Sequence, residues 1–370
     1  MGDLISLFGI VLGIIGLEST LDVRPVTISR ITIAEEISGH WGYTSESIEQ
    51  KVKDEAYLVM RQARSFKHGT RISTPSADGS IDHIARDAGV LRLLQRVQQS
   101  AGLLEYTVTG DIITEHGKAV MELRARRFDQ QVVRARFERP MDRLDDLMRD
   151  AGWVLVRLVD PHIACAALLR RSLTEGRPDP EVTLRCTEEA MPGVMDGDRP
   201  WLLNLQGVAL AMLDRNAEAG RVFREVLSIK PDFAPAWLNI GTVFAGEGRH
   251  ADAIAAFSAA IRCAGDPRFA QNRSAALVMW AISLEKLGRP DEAVPKLREA
   301  FRTDRTYDLP LRLLSQRVPP DSGEAKEIGR LIAELSVPTG HLDWEPVYTE
   351  NIVGVIPIAI VGSTATRTGH

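Results

Sequence analysis

A chain of 370 residues, 44% apolar and 26% charged, is long enough for two or three domains and a substantial buried core. Its net charge of −5 lacks the basic surplus of a dedicated nucleic-acid binder, so no nucleic-acid partner is expected. The cysteines, Cys165, Cys186 and Cys263, are far apart and odd in number, and match neither a zinc site nor a disulfide framework. Arginine outnumbers lysine several-fold, a bias associated with GC-rich bacterial coding.

The first element is Leu4 to Leu17, "LISLFGIVLGIIGL", 14 residues without a charge. As a helix it would rise about 21 Å against the roughly 30 Å of a bilayer core, which makes it a short span. Gly9 and Gly13 form a small-xxx-small pair that lets two such helices approach. No basic residue precedes the stretch and "LEST" is a poor cleavage site, so an anchor over residues 1–19 is expected ahead of a cleaved signal or a buried helix.

A small α+β domain is expected over residues 20–160. "LDVRPVTISRI", residues 21–31, alternates like a strand. Thr44 or Ser45 can cap a helix that carries Ile48, Val52 and Ala56 at helical spacing. Residues 66–83, rich in Ser, Gly, Pro and Asp, read as a loop, and 84–100 as a helix. Strands follow in "LLEYTVTGDII", "KAVMELRARR" and "QQVVRARFE", the last two forming a hairpin around Phe128–Asp129. Met121, Leu123, Ala125, Val133, Ala135 and Phe137 point to one face of it. Glu122, Arg124, Arg126, Arg134, Arg136 and Glu138 point to the other. Residues 141–159 then form an amphipathic helix that can cover the apolar face.

From Pro161 to about residue 336 the pattern is helical and repeats itself. Residues 200–233 and 234–267 superpose at a period of 34: Gly207 matches Gly241, Leu210 matches Phe244, Ala219 matches Ala253 and Phe223 matches Phe257. A third copy, 274–307, follows an insertion of six residues, with Ala281, Leu284, Gly288, Ala293, Leu297 and Ala300 on the same positions.

Trp237, Ile240, Gly241, Phe244, Gly248, Ala253, Phe257 and Ala260 in the second copy resemble the tetratricopeptide repeat. The resemblance implies a solenoid of antiparallel A and B helices over 161–336, with 161–196 and 308–336 as degenerate or capping pairs. It also implies a concave groove lined by fixed positions of each A helix. Carried over, these include Trp201, Asn204, Val208 and Met212 in the first copy, and Leu238, Thr242 and Ala245 in the second. The third supplies Val278, Ile282 and Glu285. Asn239 matches the second-unit asparagine of the family's carboxylate clamp, whereas Ala275 and Met279 stand where its third-unit cations belong, so the clamp is incomplete. The lining is mainly apolar and small, which suits an amphipathic or extended apolar partner segment.

The tail, 337–370, contains the uncharged run Ile352 to Gly362, too short to span a bilayer. It is expected to be covered, as a strand on the small domain's sheet, a segment in the groove or an oligomer contact. Residues 106–161 bear a looser similarity to TolB-like amino-terminal domains, which precede such repeats in bacterial envelope proteins.

No catalytic constellation emerges. "GDIITEHGKA" has the wrong spacing for a phosphate loop and joins two strands. The histidines have no ligand spacing on a helix, so neither metal nor cofactor is expected. The stripe Arg124, Arg126, Arg134 and Arg136 is the one candidate for phosphate, lipid headgroups or an acidic partner, against the plainer reading of a solvated face with cross-strand pairs.

The expectation is therefore a non-enzymatic interaction scaffold of a bacterial inner membrane. It would have a single N-terminal anchor, a protein or peptide partner in the groove, and room for self-association. Arg24 and Arg30 favour a cytoplasmic body, and the TolB-like similarity a periplasmic one. The alternative is a soluble regulatory or sensor protein whose small domain binds a small ligand or anion.

Overall fold

The computed structural model describes residues 24–63, 70–73, 106–127, 132–265 and 269–336. They fall into two compact units, one ending at Ala167 and the other beginning at Leu168. The apolar stretch 4–17, the expected helix 84–100, the turn at Phe128–Asp129 and the tail 337–370 lie outside the described residues.

The first unit is built on a sheet of strands β1 (Arg24–Ile33), β2 (Thr70–Ser73), β3 (Tyr106–Glu115), β4 (Lys118–Arg127) and β5 (Val133–Pro140), in the order β2-β1-β3-β4-β5. Strand β1 runs parallel to both β2 and β3, and β3-β4-β5 is an antiparallel meander. Met121 faces Phe137, and Leu123 faces Ala135, as the alternation of the hairpin predicts. The β3–β4 hairpin turns on His116 and Gly117, both at positive φ (50° and 74°), the twist that two-residue hairpin loops favour. The segment that superficially resembled a phosphate loop is this turn.

One short helix, α1 (Glu35–Trp41), is followed by α2 (Ser45–Ala63), whose first turn is capped by Thr44: Ser47 N donates to its Oγ1 at 3.1 Å. Helix α3 (Leu144–Val159) buries Leu147, Met148, Ala151 and Leu155, while the sheet buries Val26, Ile28, Ile31, Val108, Ile112, Met121, Leu123 and Ala125. The two helices approach closely at Gly152, where a methyl would lie 2.5 Å from Glu55 Cβ. Buried Glu49 accepts a hydrogen bond from Ile31 N at 2.9 Å, just past a β-bulge in β1, and so serves backbone that the ladder releases.

The second unit is helical. It comprises α4 (Pro161–Thr174, which spans the boundary between the units), α5 (Pro180–Ala190), α6 (Arg199–Met212), α7 (Asn216–Ile229), α8 (Ala234–Gly246) and α9 (His250–Cys263). The run continues with α10 (Ala270–Lys286), α11 (Pro290–Thr303), α12 (Leu309–Ser315) and α13 (Gly323–Ser336). The pairs α6/α7, α8/α9 and α10/α11 are the three sequence copies. Their turns repeat in detail: Asp214, Gly248 and Gly288 all take positive φ (59°, 77° and 74°). The arginine that follows each pairs with an acid in the first turn of the next helix. These pairs are Arg215–Glu218 at 2.7 Å, Arg249–Asp252 at 2.9 Å and Arg289–Glu292 at 2.6 Å.

Each pair closes on one contact. A methyl on Gly207 would lie 2.5 Å from the Phe223 ring, and one on Gly241 would lie 2.6 Å from Phe257. In the third copy the helix-A residue is Ala281, and the helix-B residue shrinks to Leu297; both are buried in one core cluster. Volume added on one helix is removed from the other, as close packing requires.

One expectation is corrected. Among the described residues no helix is long and apolar enough to cross a membrane, so the single-anchor inner-membrane placement is not supported. Cys263 is a free thiol.

The glycine contact makes a testable claim. Gly241→Ala should destabilise the fold by about 1–3 kcal/mol in urea melts, although alanine is the better helix former by about 1 kcal/mol. Phe257→Leu in the same chain should recover part of that loss, as the third copy does. Gly246→Ala, at a site with nothing within 4 Å, should be neutral or mildly stabilising.

Candidate functional site

The residues assigned to the partner-facing row lie on helices α6, α8 and α10, and most of them are engaged within the unit. Trp201, half-buried at the start of α6, meets Phe233 edge-on (ring centroids 4.8 Å, interplanar angle 87°). It also stacks on Phe269 (6.5 Å, 17°). Asn204 and Asn239 are buried, and Asn239 Nδ2 donates to Asn204 Oδ1 at 2.9 Å. Thr242 is buried and its hydroxyl donates to the Leu238 carbonyl at 3.0 Å, a back-bond within the helix. Val208, Leu238, Ala245 and Val278 are core residues. Glu285 forms a two-point pair with Arg317 of the following helical region, with Arg317 Nη2 to Glu285 Oε2 at 2.6 Å.

The row is thus less open than its sequence positions imply. Met212 and Ile282 are half-buried, as are Trp201 and Glu285. The structure brings Asn204 and Asn239 together; it joins Trp201 to Phe269, which the carried-over positions do not include. Arg317 was likewise missed, since a partner 32 residues away leaves no local signal. Phe269 did leave one: it sits in the insertion that breaks the 34-residue period.

Asn272 lies in the same insertion and in the first turn of α10. It is 1% exposed, and neither its Oδ1 nor its Nδ2 has a hydrogen-bond partner. A buried amide left in that state costs about 1–3 kcal/mol.

The arginine stripe on the small unit is largely neutralised. Arg124 bonds Asp111 at 2.7 Å and Glu122 at 3.0 Å, and Arg136 bonds Glu115 at 2.5 Å. Asp111 also accepts from the Thr32 hydroxyl at 2.5 Å. Hydrogen bonding from Arg124 holds the Glu122 carboxyl below its ordinary range, and Lys118 does the same for Glu138. Asp111, Glu122, Arg124 and Arg136 line a cleft of about 310 Å³ together with Ile112 and Val120. Arg126 and Arg134 are exposed.

A tetratricopeptide repeat family model matches residues 204–267, which include the helices from the middle of α6 through α9. The helical unit is built of tetratricopeptide repeats. Solved structures similar to the chain include MamA from Desulfovibrio magneticus RS-1, at 21% identity over 48% of this chain and 93% of that one, with a TM-score of 0.33. A double mutant, MamA RS-1 ArsTM, matches at 20% identity over 48% and 94%, with a TM-score of 0.35. YrrB, described as a TPR protein with an unusual peptide-binding site, matches at 16% identity over 47% and 86%, with a TM-score of 0.33. No curated protein matches the chain. Tetratricopeptide repeats are in general protein-interaction scaffolds, and this chain carries that architecture.

Charge reversal separates the two halves of the stripe. Arg126→Glu with Arg134→Glu should leave stability within about 0.5 kcal/mol per site. Arg124→Glu would set a third carboxylate beside Asp111 and Glu122, and should lower the urea midpoint more than both exposed changes together.

Proposed function

We propose that this protein is a non-enzymatic interaction scaffold whose repeats hold a protein or peptide partner on the A-helix face of α6, α8 and α10. What supports this is the chemistry of that face. Its side chains are apolar or amide, and Glu285, its one acid among the residues assigned to the row, is matched by Arg317. Such a surface offers apolar contact and hydrogen bonds to a main chain, and no net charge to select for a phosphate or an acidic tail. Because most of the row is already packed, the contact falls to the half-buried residues Trp201, Met212 and Ile282, with Asn204, Val208, Leu238, Asn239, Thr242, Ala245, Val278 and Glu285 shaping the surface beneath them.

The test is affinity capture with the full chain. Met212→Glu and Ile282→Glu should each cut recovery of specific partners by about tenfold, the equivalent of about 1.4 kcal/mol, while melting temperature confirms that the fold survives. Partners that persist on both folded variants would place recognition elsewhere. A partner lost instead on Arg126→Glu with Arg134→Glu would move it to the small unit.

A further inference from the structure

On the helical unit, a cleft of about 590 Å³ opens where α9 and α11 end and α10 begins. Ala264, Gly265 and Ala270 contribute short side chains or none to its lining, and Arg273 and Arg302 supply two cations. Glu299 is the one acid among the described lining residues. None of these residues belongs to the row assigned to the A-helix face, so the cleft is a separate feature of the solenoid.

The arginines at the repeat turns, Arg215, Arg249 and Arg289, hold their acids at 2.6–2.9 Å. The two in the cleft do not. Arg273 Nη2 stands 3.9 Å from Glu299 Oε1, beyond hydrogen-bond reach, and its Nε is buried with no hydrogen-bond partner. Glu299 lies closer to Lys296, whose Nζ is 3.4 Å from Oε2 and 4.4 Å from the centre of the Trp280 ring. Arg302 donates from Nε to the Arg298 carbonyl at 3.3 Å, and forms no ion pair among the described residues. Positive charge is left unanswered here. Each helix end adds about half an elementary charge, negative from α9 and α11 and positive from α10, so the two guanidinium charges set the sign.

We propose that this cleft binds a phosphate group carried by a small molecule. A carboxylate offers two oxygens and one charge, which a single guanidinium fork satisfies. A phosphate monoester offers three terminal oxygens and close to two charges, enough for the forks of both Arg273 and Arg302. The cleft is roomier than a phosphate needs, and the short lining at Ala264, Gly265 and Ala270 leaves space for the organic group attached to it. The proposal goes beyond partner binding on the A-helix face, and either stands if the other fails.

The probe is phenyl phosphate, with acetate as its control, titrated calorimetrically against the full chain at fixed ionic strength. Phenyl phosphate should bind saturably, and about tenfold or more tightly than acetate. Arg273→Gln and Arg302→Gln should each weaken it by about tenfold, the size of one charge-assisted hydrogen bond. Arg126→Gln, on the small unit, should leave it unchanged. Without ligand, neither cleft variant should lower the melting temperature, because each removes a charge that no acid holds closely. Phenyl phosphate should raise the melting temperature of the unaltered chain, and should not raise that of the double variant.

Affinity for phenyl phosphate that survives in the double variant would place the anion elsewhere and overturn the assignment. Binding no tighter than that of acetate would overturn it too, since that is diffuse attraction to a basic surface. Should a glutamine variant fail to fold, Arg273→Lys and Arg302→Lys keep the charge and remove only the fork. Weakened binding in both lysine variants supports the two-fork site, and full affinity in both overturns it.

Discussion

The repeat unit depends on one steric condition: helices A and B must touch where a side chain would normally hold them apart. Gly207 and Gly241 meet that condition by having no Cβ, and Phe223 and Phe257 fill the freed space with rings. A glycine inside a helix weakens that helix on its own terms, so the pairing has to return more through ring packing than the backbone loses. Once each pair is closed at that point, helix spacing, the stacking of successive pairs and the row of A-helix side chains follow. The Ala281–Leu297 pair of the third copy shows the condition to be one of summed volume, with no requirement for glycine as such.

The insertion shifts that regularity by six residues. A strictly periodic solenoid presents equivalent positions at equal intervals. Here the third pair starts late, so Phe269 and Asn272 stand ahead of the residues that the repeat would have aligned with Trp201.

Much of the architecture was legible because it is periodic. The 34-residue match located the helix pairs, and the two-residue alternation of Met121, Leu123 and Ala125 against Glu122, Arg124 and Arg126 gave the β4–β5 hairpin its correct faces. What was illegible is what pairs over distance. Nothing in "RPVTISRITI" reveals that β1 lies between β2 and β3, or that Glu49 turns inward to serve Ile31. The row residues were located along the helices, yet their occupation by Phe269, Arg317 and each other depends on three-dimensional neighbours. Hydrophobic content alone favoured a membrane role for residues 4–17; a count of apolar residues does not distinguish a span from a segment buried in any other way.

The order of strands in the small sheet carries a kinetic consequence. The meander β3-β4-β5 joins neighbours in sequence through short turns, and can form early from local contacts. Strand β1 must instead find β3 across a long stretch of chain, as the Thr32–Asp111 bond between residues 79 apart illustrates. Loop closure on that scale slows folding, and a ribosome delivers β1 long before its partner exists. The helical unit faces no such wait, because each pair completes itself within about 34 residues. Nascent chains therefore expose the apolar edge of β1 for the time needed to synthesise β3, and that interval is where assembly of this protein is most open to misdirection.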